Sequence, residues 1–409
     1  MRVIVIGGGA AGFFAAITCA SLSPETEVIL LEAGKQTLAK VRVSGGGRCN
    51  VTHHCFDPTL LVKAYPRGGK ALRGAFTRFQ PQDTIEWFEQ RGVKLKTESD
   101  GRMFPVTDDS ETIINCLVKE AIAQGVKIKT GAKVQWLSYE DDRFIVELKG
   151  GDYLSADRAI LATGSQRLPY QWLSQFGHNI IPPIPSLFTF NITDERLQDL
   201  AGISVENVEV KLDIKGKEKY LQNGQLLITH WGLSGPAVLK LSAYGARILH
   251  DHNYQLGLWV NWLPSENLET IKQQLMAQKE QTPRRQVVSF SPVSIPRRLW
   301  EKLALASGIS ATQRWAEVSK KQIITLANEL IMGKYQIQGK GVFKEEFVTC
   351  GGVDLKEVNF KTMESKLVTG LYFAGEILDI DGITGGFNFQ NASTTGWLAG
   401  NGIIEQRLI

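Results

Sequence analysis

The chain opens on an apolar run that is unbroken and short. Val3-Ile4-Val5-Ile6 has no polar alternation and runs straight into glycines, which predicts a strand buried on both faces. Residues 13–20 (FFAAITCA) continue apolar over helical length, and Val28-Ile29-Leu30-Leu31 repeats the buried-strand pattern before ending at Glu32. Strand, glycine turn, helix and strand make the βαβ unit of a parallel sheet. Residues 81–89 and 109–118 each begin with a capping residue and continue with helical spacing, predicting two more helices. Between 127 and 162, β-rich runs at 133–137, 144–148 and 159–161 alternate with Gly and Asp turns and would complete the same domain.

The pattern then changes. Pro182-Pro183-Ile184-Pro185-Ser186 reads as a linker, because each proline fixes its φ and biases its predecessor away from helix. Strand-rich segments follow at 205–214, 226–229 and 255–260. Residues 265–329 read as helices punctuated by Pro283, Pro292 and Pro296, and strand character returns at 335–338. The expected architecture is an interrupted Rossmann-like α/β domain (1–190 and 340–409) with an inserted small β-barrel (191–263 and 330–339) and a helical insert (264–329).

The 40 glycines are clustered, and the clusters carry the chemistry. Gly7-Gly8-Gly9-Ala10-Ala11-Gly12 fits G-x-G-x-x-G between the first strand and the first helix. There Gly7 permits the tight turn, Gly9 lets backbone approach a pyrophosphate, and Gly12 lets helix and strand pack closely. Glu32, twenty residues past Gly12, is placed to accept hydrogen bonds from a ribose 2′-hydroxyl and would repel the 2′-phosphate of NADP. A second cluster, Ser44-Gly45-Gly46-Gly47-Arg48-Cys49-Asn50, offers bare backbone to a flat or charged ligand. The third runs from the apolar segment 370–374 through Gly375-Glu376 and Gly385-Gly386-Phe387-Asn388-Phe389 into a small-residue helix at 391–400. A chain that departs for about 200 residues and returns with a second glycine-lined strand–loop–helix needs a ligand long enough to use both ends. FAD meets that requirement better than NAD.

Composition narrows the field. At 409 residues, 43% hydrophobic and 22% charged, the chain is neither a disulfide miniprotein nor a disordered one. The formal charge of +4 is too small to imply a polyanion partner for the chain as a whole. The five cysteines form no C-x-x-C pair and no zinc pattern, so a reducing, cytoplasmic setting without structural metal is expected. No apolar stretch is long enough to span a membrane.

The opening fingerprint, the segment Asp157–Gly164 and the Tyr372–Glu376 return strand resemble the two-dinucleotide-binding-domain flavoproteins. Ser44–Asn50, Thr229–Pro236 and Gly375–Gly400 are similar, more narrowly, to the bacterial BaiN/YhiN-like, aminoacetone oxidase-like FAD enzymes, over essentially the whole chain. That resemblance implies non-covalent FAD. Gly7, Gly9, Gly12 and Glu32 would hold its ADP half, Val134 would meet the adenine, and Ala162, Thr163 and Gly164 would pack nearby. Gly46, Gly47, Arg48, Cys49, Asn50, Glu376, Asp379 and Gly386 to Phe389 would surround the ribityl chain and flavin ring. Ala11, Ala33, Lys40 and Gly375 complete the implied set. Glu376 stands where the wider superfamily usually has Asp.

The expected function is that of an FAD-dependent oxidoreductase on a small organic substrate, by amino-ketone oxidation or reduction of an activated C=C bond. NAD(P)H or another electron partner would act without a domain of its own, because no second G-x-G-x-x-G follows a strand. A flavin-dependent nucleic-acid-modifying enzyme and a non-catalytic flavin module are the alternatives. The first needs a basic face, for which Arg284-Arg285, Arg297-Arg298 and Lys320-Lys321 supply only a thin candidate; no nucleic-acid partner is therefore expected. Cys49 and Cys55 lack the spacing of a redox dithiol, and no acid pair or histidine cluster marks a catalytic acid–base set.

Overall fold

A computed structural model describes residues 1–214, 220–341 and 348–405; those parts of the expected barrel and FAD domain that fall on 215–219, 342–347 and 406–409 lie outside the described residues. The chain divides into two compact units, Met1–Ile184 with Val348–Ile409, and Pro185–Phe347.

The first unit is built on a sheet whose strands are β1 (Arg2–Ile6), β2 (Glu27–Leu31), β3 (Lys127–Lys129), β4 (Arg158–Leu161), β5 (Val358–Asn359), β6 (Glu364–Ser365) and β7 (Leu371–Phe373). Their order is β5-β6-β7-β4-β1-β2-β3. β3, β2, β1, β4 and β7 run parallel, and β6 and β5 add an antiparallel edge. The unbroken apolar runs in sequence are explained by this layout, since Val3 to Ile6, Val28 to Leu31 and Ala159 to Leu161 are all buried. Helix α1 (Ala10–Leu22) is buried along most of its length because helix α2 (Phe387–Glu405) lies against it. The contact is close: side chains at Gly396 and Gly400 would meet the carbonyl oxygens of Ala11 at 2.4 Å and Ala15 at 2.7 Å. The two helices expected from capping signals form as Pro81–Glu89 and Ser110–Ala123. In the second, the Asp109 carboxylate accepts the Glu111 N–H at 2.9 Å.

The proline-rich segment expected to be a linker is instead a strand, Ile180–Ser186, paired with Val348–Val353. Extended φ suits proline, and a two-stranded ribbon leaves its missing N–H groups on an edge.

The second unit is a seven-stranded sheet in the order 333–337, 256–261, 204–212, 221–229, 232–234, 190–191, 339–340. Its two edges belong to one continuous stretch: Gly333–Ile337 pairs with Leu256–Asn261, and Gly339–Lys340 with Phe190–Asn191. The sheet thereby closes on itself as a barrel. The helices Leu268–Gln281, Arg297–Ala306 and Lys320–Met332 share one hydrophobic core with these strands, including Val210, Leu258, Trp262, Leu275, Trp300 and Leu326.

A Gly396→Val substitution should force α1 and α2 apart and destabilise the first unit by about 1–3 kcal/mol, the usual cost of overpacking. Urea unfolding should show a lower midpoint with an unchanged slope. An unchanged midpoint would contradict the backbone contact.

Candidate functional site

The first unit brings the three glycine clusters into one neighbourhood. At the β1–α1 turn, Gly7 has φ +115°, and a side chain on it would stand 2.3 Å from the Ala162 carbonyl oxygen at the end of β4. A side chain at Gly12 would stand 1.9 Å from the Gly7 oxygen. Both positions therefore require glycine for packing. Gly9 differs: a side chain there would meet open space. It precedes α1, whose first-turn N–H groups have no intrahelical partner. That is the geometry of an anion cradle, with the small residue facing out.

Glu32, at the end of β2, accepts the Gly8 N–H at 2.9 Å through Oε2 and the Gly34 N–H at 2.6 Å through Oε1. Its carboxylate is fixed in orientation by backbone and keeps lone pairs for a hydroxyl. Bonds from Gly131 N–H to the Gly34 oxygen (2.8 Å) and Ala132 N–H to the Glu32 oxygen (2.9 Å) lay the segment leading to buried Val134 alongside, next to exposed Ala33.

Helix Ala39–Gly47 breaks after Val43: Gly45, Gly46 and Gly47 have φ of +58°, +71° and +87°. Side chains at Gly46 and Gly47 would meet open space, so this run presents bare backbone, as at Gly9. Asn50 ties this loop to the third cluster. With its amide oriented to satisfy both groups, it donates to the Thr52 carbonyl (3.0 Å) and accepts the Gly386 N–H (2.9 Å). Tyr65 donates to the Phe387 carbonyl at 2.7 Å. Asn388 bonds Gly382 twice, accepting its N–H at 2.8 Å and donating to its carbonyl at 2.9 Å. That double bond closes the loop before α2, which begins at Phe387, four residues before its sequence-expected start. Phe389 is half-buried against the core.

The carboxylates around this loop are all engaged. Glu376 accepts Lys40 Nζ at 2.6 Å and the Thr349 N–H at 2.8 Å, and its Oε2 lies 3.6 Å from where a Gly164 side chain would begin. A side chain at Gly375 would meet the Ala11 side chain at 2.8 Å, which brings the return strand onto α1. Asp379 accepts the Gly351 N–H at 2.8 Å. Asp381 is fully buried in a bidentate ion pair with Arg67. The Arg48 guanidinium pairs with Glu98 at 2.6 Å and lies over the Phe104 ring, so the charge of this loop is held by protein and its glycine backbone is what remains open. Cys49 is buried with φ +60°, and burial pushes its thiol up to about 12, which removes it from thiolate chemistry at neutral pH.

Gln390 and Tyr170 were missed by sequence reasoning, whereas Thr163 was among the residues the resemblance implied. Gln390 is fully buried; its Oε1 accepts Thr52 Oγ1 at 2.5 Å and Thr84 Oγ1 at 3.0 Å, joining three distant segments. The His53 ring packs tilted against Phe387, with centroids 4.6 Å apart. The Tyr170 hydroxyl and Thr163 Oγ1 are buried without a protein hydrogen-bond partner. No motif spacing connects these residues. The orphaned Thr163 hydroxyl beside Gly164, together with the open faces of Gly9, Gly46 and Gly47, fits the polar and backbone groups a dinucleotide would use. Among the described residues no cluster could hold a metal ion, and no helix is long and apolar enough to cross a membrane.

In the second unit, Thr229, His230, Trp231 and Gly232 line a cavity of about 620 Å³ together with Asn191, Asp194 and Gln338. The backbone there is fixed by an Ile192 N–H bond to the Trp231 carbonyl at 2.9 Å, yet the Trp231 side chain is 67% exposed. The segment 229–232 therefore lines a concavity.

The cysteines give a direct check. At pH 8 about one Cys49 in 10⁴ would be thiolate for a group titrating near 12. Iodoacetamide with mass spectrometry should label partly exposed Cys55 and leave Cys49 unmodified. Rapid labelling of Cys49 would show that its loop opens.

With the geometry in place, comparison with known proteins is informative. The family described as HI0933-like protein Rossmann domain matches residues 1–402. The ribosomal RNA dihydrouridine synthase of Escherichia coli is 32% identical, covering 99% of this chain and 98% of its own. The 3-dehydro-bile acid delta(4,6)-reductase of Clostridium scindens is 28% identical over 99% of both. Among solved structures, the 3-ketosteroid-delta4-(5alpha)-dehydrogenase of Rhodococcus jostii shares the fold, with a TM-score of 0.52 at 15% identity, covering 98% of this chain and 96% of that one. The interrupted parallel sheet, its glycine-lined turns and the match along the whole length lead to one conclusion: the chain belongs to the HI0933-like Rossmann family.

Proposed function

We propose that this protein binds FAD non-covalently and reduces a carbon–carbon double bond conjugated to a carbonyl, with a uridine of ribosomal RNA as substrate. What carries the reading is a shared chemistry. Two relatives aligned over nearly the whole chain are named for dihydrouridine synthesis and for delta(4,6) reduction of a 3-dehydro bile acid. Both saturate a C=C whose far end is activated by a carbonyl. The π bond breaks, one C–H bond forms at each carbon, and two electrons and two protons are consumed. FAD supplies the two electrons when bound and is returned to its reduced form by an external donor such as a nicotinamide. The Gly9 turn would hold the pyrophosphate, and Glu32 the adenosine ribose. The 44–50 and 382–389 loops would bracket the flavin with backbone, since their charges are already paired. The ribosomal RNA assignment follows the relative of higher identity and reverses the expectation that no nucleic acid is bound. A polycyclic enone is the second reading, supported by the bile-acid reductase.

Heat-released cofactor should chromatograph as FAD. Glu32→Ala should weaken FAD about 10-fold or more, in line with about 1.5–3 kcal/mol for hydrogen bonds to a charged group, and leave FMN, which has no adenosine, nearly unaffected. Equal losses would remove Glu32 from the ribose.

Anaerobically photoreduced protein should be re-oxidised by unmodified ribosomal RNA, with two hydrogens gained by one uridine on mass spectrometry. Re-oxidation by a steroid 4,6-dien-3-one alone would move the substrate to the second reading. Re-oxidation by neither would refute C=C reduction.

A further inference from the structure

The chain's positive charge is not spread along it. Residues 264–329 hold ten Lys and Arg against six Glu, so this segment alone accounts for the formal +4 of the whole chain. Within it some cations are already committed. Arg298 donates to the Asp199 carbonyl, Lys302 lies 3.8 Å from the Asp199 carboxylate, and Lys279 donates to the Val318 carbonyl at 2.5 Å.

Another set is not. Arg284, Arg285 and Arg314 are exposed, and none of the three has a side-chain ion pair among the described residues. Backbone pairing brings them together: Gln286 and Arg314 form an antiparallel bridge, the Trp315 N–H donates to the Arg285 carbonyl at 3.0 Å, and the Ala316 N–H to the Pro283 carbonyl at 2.9 Å. The guanidinium of Arg285 lies 4.3 Å from the ring centroid of Phe290, itself 41% exposed. Beneath this surface the backbone is pinned to the core. Trp315 is fully buried and stacks on Trp300, whose Nε1 donates to the Val287 carbonyl at 2.8 Å. Lys320 and Lys321 extend the patch six and seven residues past Arg314, at the first turn of helix Lys320–Met332. That helix end is electropositive and disfavours further cations. No acidic residue occupies its first turn.

Exposed like charges gathered on one ribbon, where Glu317 is engaged with the Arg314 N–H at 3.0 Å, favour an extended anion that neutralises several at once. We infer that this ribbon, Arg284, Arg285, Phe290 and Arg314 with Lys320 and Lys321, is a docking surface for RNA, with the cations on successive phosphates and Phe290 against an unpaired base. The inference rests on the proposed RNA substrate for its occupant, and on the charge distribution for its location.

The test uses full-length flavin-loaded protein and fluorescently labelled, unmodified ribosomal RNA transcribed in vitro, with binding followed by anisotropy across a salt series. Each phosphate contact contributes about 0.7–0.9 to the slope of log K against log salt. The triple variant Arg284→Ala/Arg285→Ala/Arg314→Ala should lower that slope by about 2 and weaken binding at least 10-fold, while FAD content and re-oxidation by a free enone stay at the wild-type level. A control removing three exposed cations of the first unit, Arg73→Ala/Lys94→Ala/Lys149→Ala, should change the slope far less. Phe290→Ala should weaken binding without altering the slope. Equal affinity and slope in the triple variant and wild type would overturn the surface and leave the proposed reaction standing. RNA binding that depends on these arginines, with no uridine reduced, would refute the reaction and leave the surface standing. Wild-type protein that ignores the RNA but binds phosphatidylserine vesicles would overturn the inference in favour of a membrane.

Discussion

The backbone contact between α1 and α2 is the constraint on which the first unit depends. Gly396 and Gly400 let two helices almost 400 residues apart in sequence approach until side chains would collide with the carbonyls of Ala11 and Ala15. Because α2 is held there, the Gly385–Phe389 loop at its start must lie near the turn that opens α1. Gly7 and Gly12 do the same on the sheet side, bringing β1, β4 and α1 together without intervening side chains. Bulk at any of these positions would separate the two ends of the proposed cofactor site before altering its chemistry.

Around that contact the polar groups are ordered in advance. Glu32, Glu376, Asp379 and Asp381 each take a backbone N–H or a cation from the protein, so their orientation is not left to a ligand. Arg48 is likewise held by Glu98. The surfaces left open are backbone, at Gly9, Gly46 and Gly47. Such a site would suit phosphate and planar rings by dipoles and shape, with little net charge of its own and no side chains to rearrange. Cys49 in this loop is not available as a thiolate, since it is buried and stays protonated at neutral pH.

The second unit follows a different economy. Its barrel closes because one segment, 333–340, supplies both edge strands, which leaves no long exposed ladder. Its helices share the barrel core, and the ribbon between them that carries Arg284, Arg285 and Arg314 is pinned to that core through Trp300 and Trp315. The first unit is rich in paired charges, and the second gathers cations on its surface; on the proposed reading, chemistry and recognition are separated along the chain.

Local sequence determined the β1–α1–β2 unit, the helices at 81–89 and 110–123, and the three glycine clusters, because unbroken apolar runs, caps and glycine spacing act within a few residues. It misjudged Pro182–Ser186, since prolines mark extended backbone whether or not a partner strand exists, and that partner, Val348–Val353, arrives about 160 residues later. Only tertiary structure joined Gln390 to Thr52 and Thr84, set Arg67 against Asp381, gave Arg48 to Glu98 and left Tyr170 and Thr163 without partners. It alone also brought Arg314 beside Arg284 and Arg285. Each of these depends on which distant backbone comes within hydrogen-bonding reach, and that is fixed by packing around a shared core, which no local pattern of residues encodes.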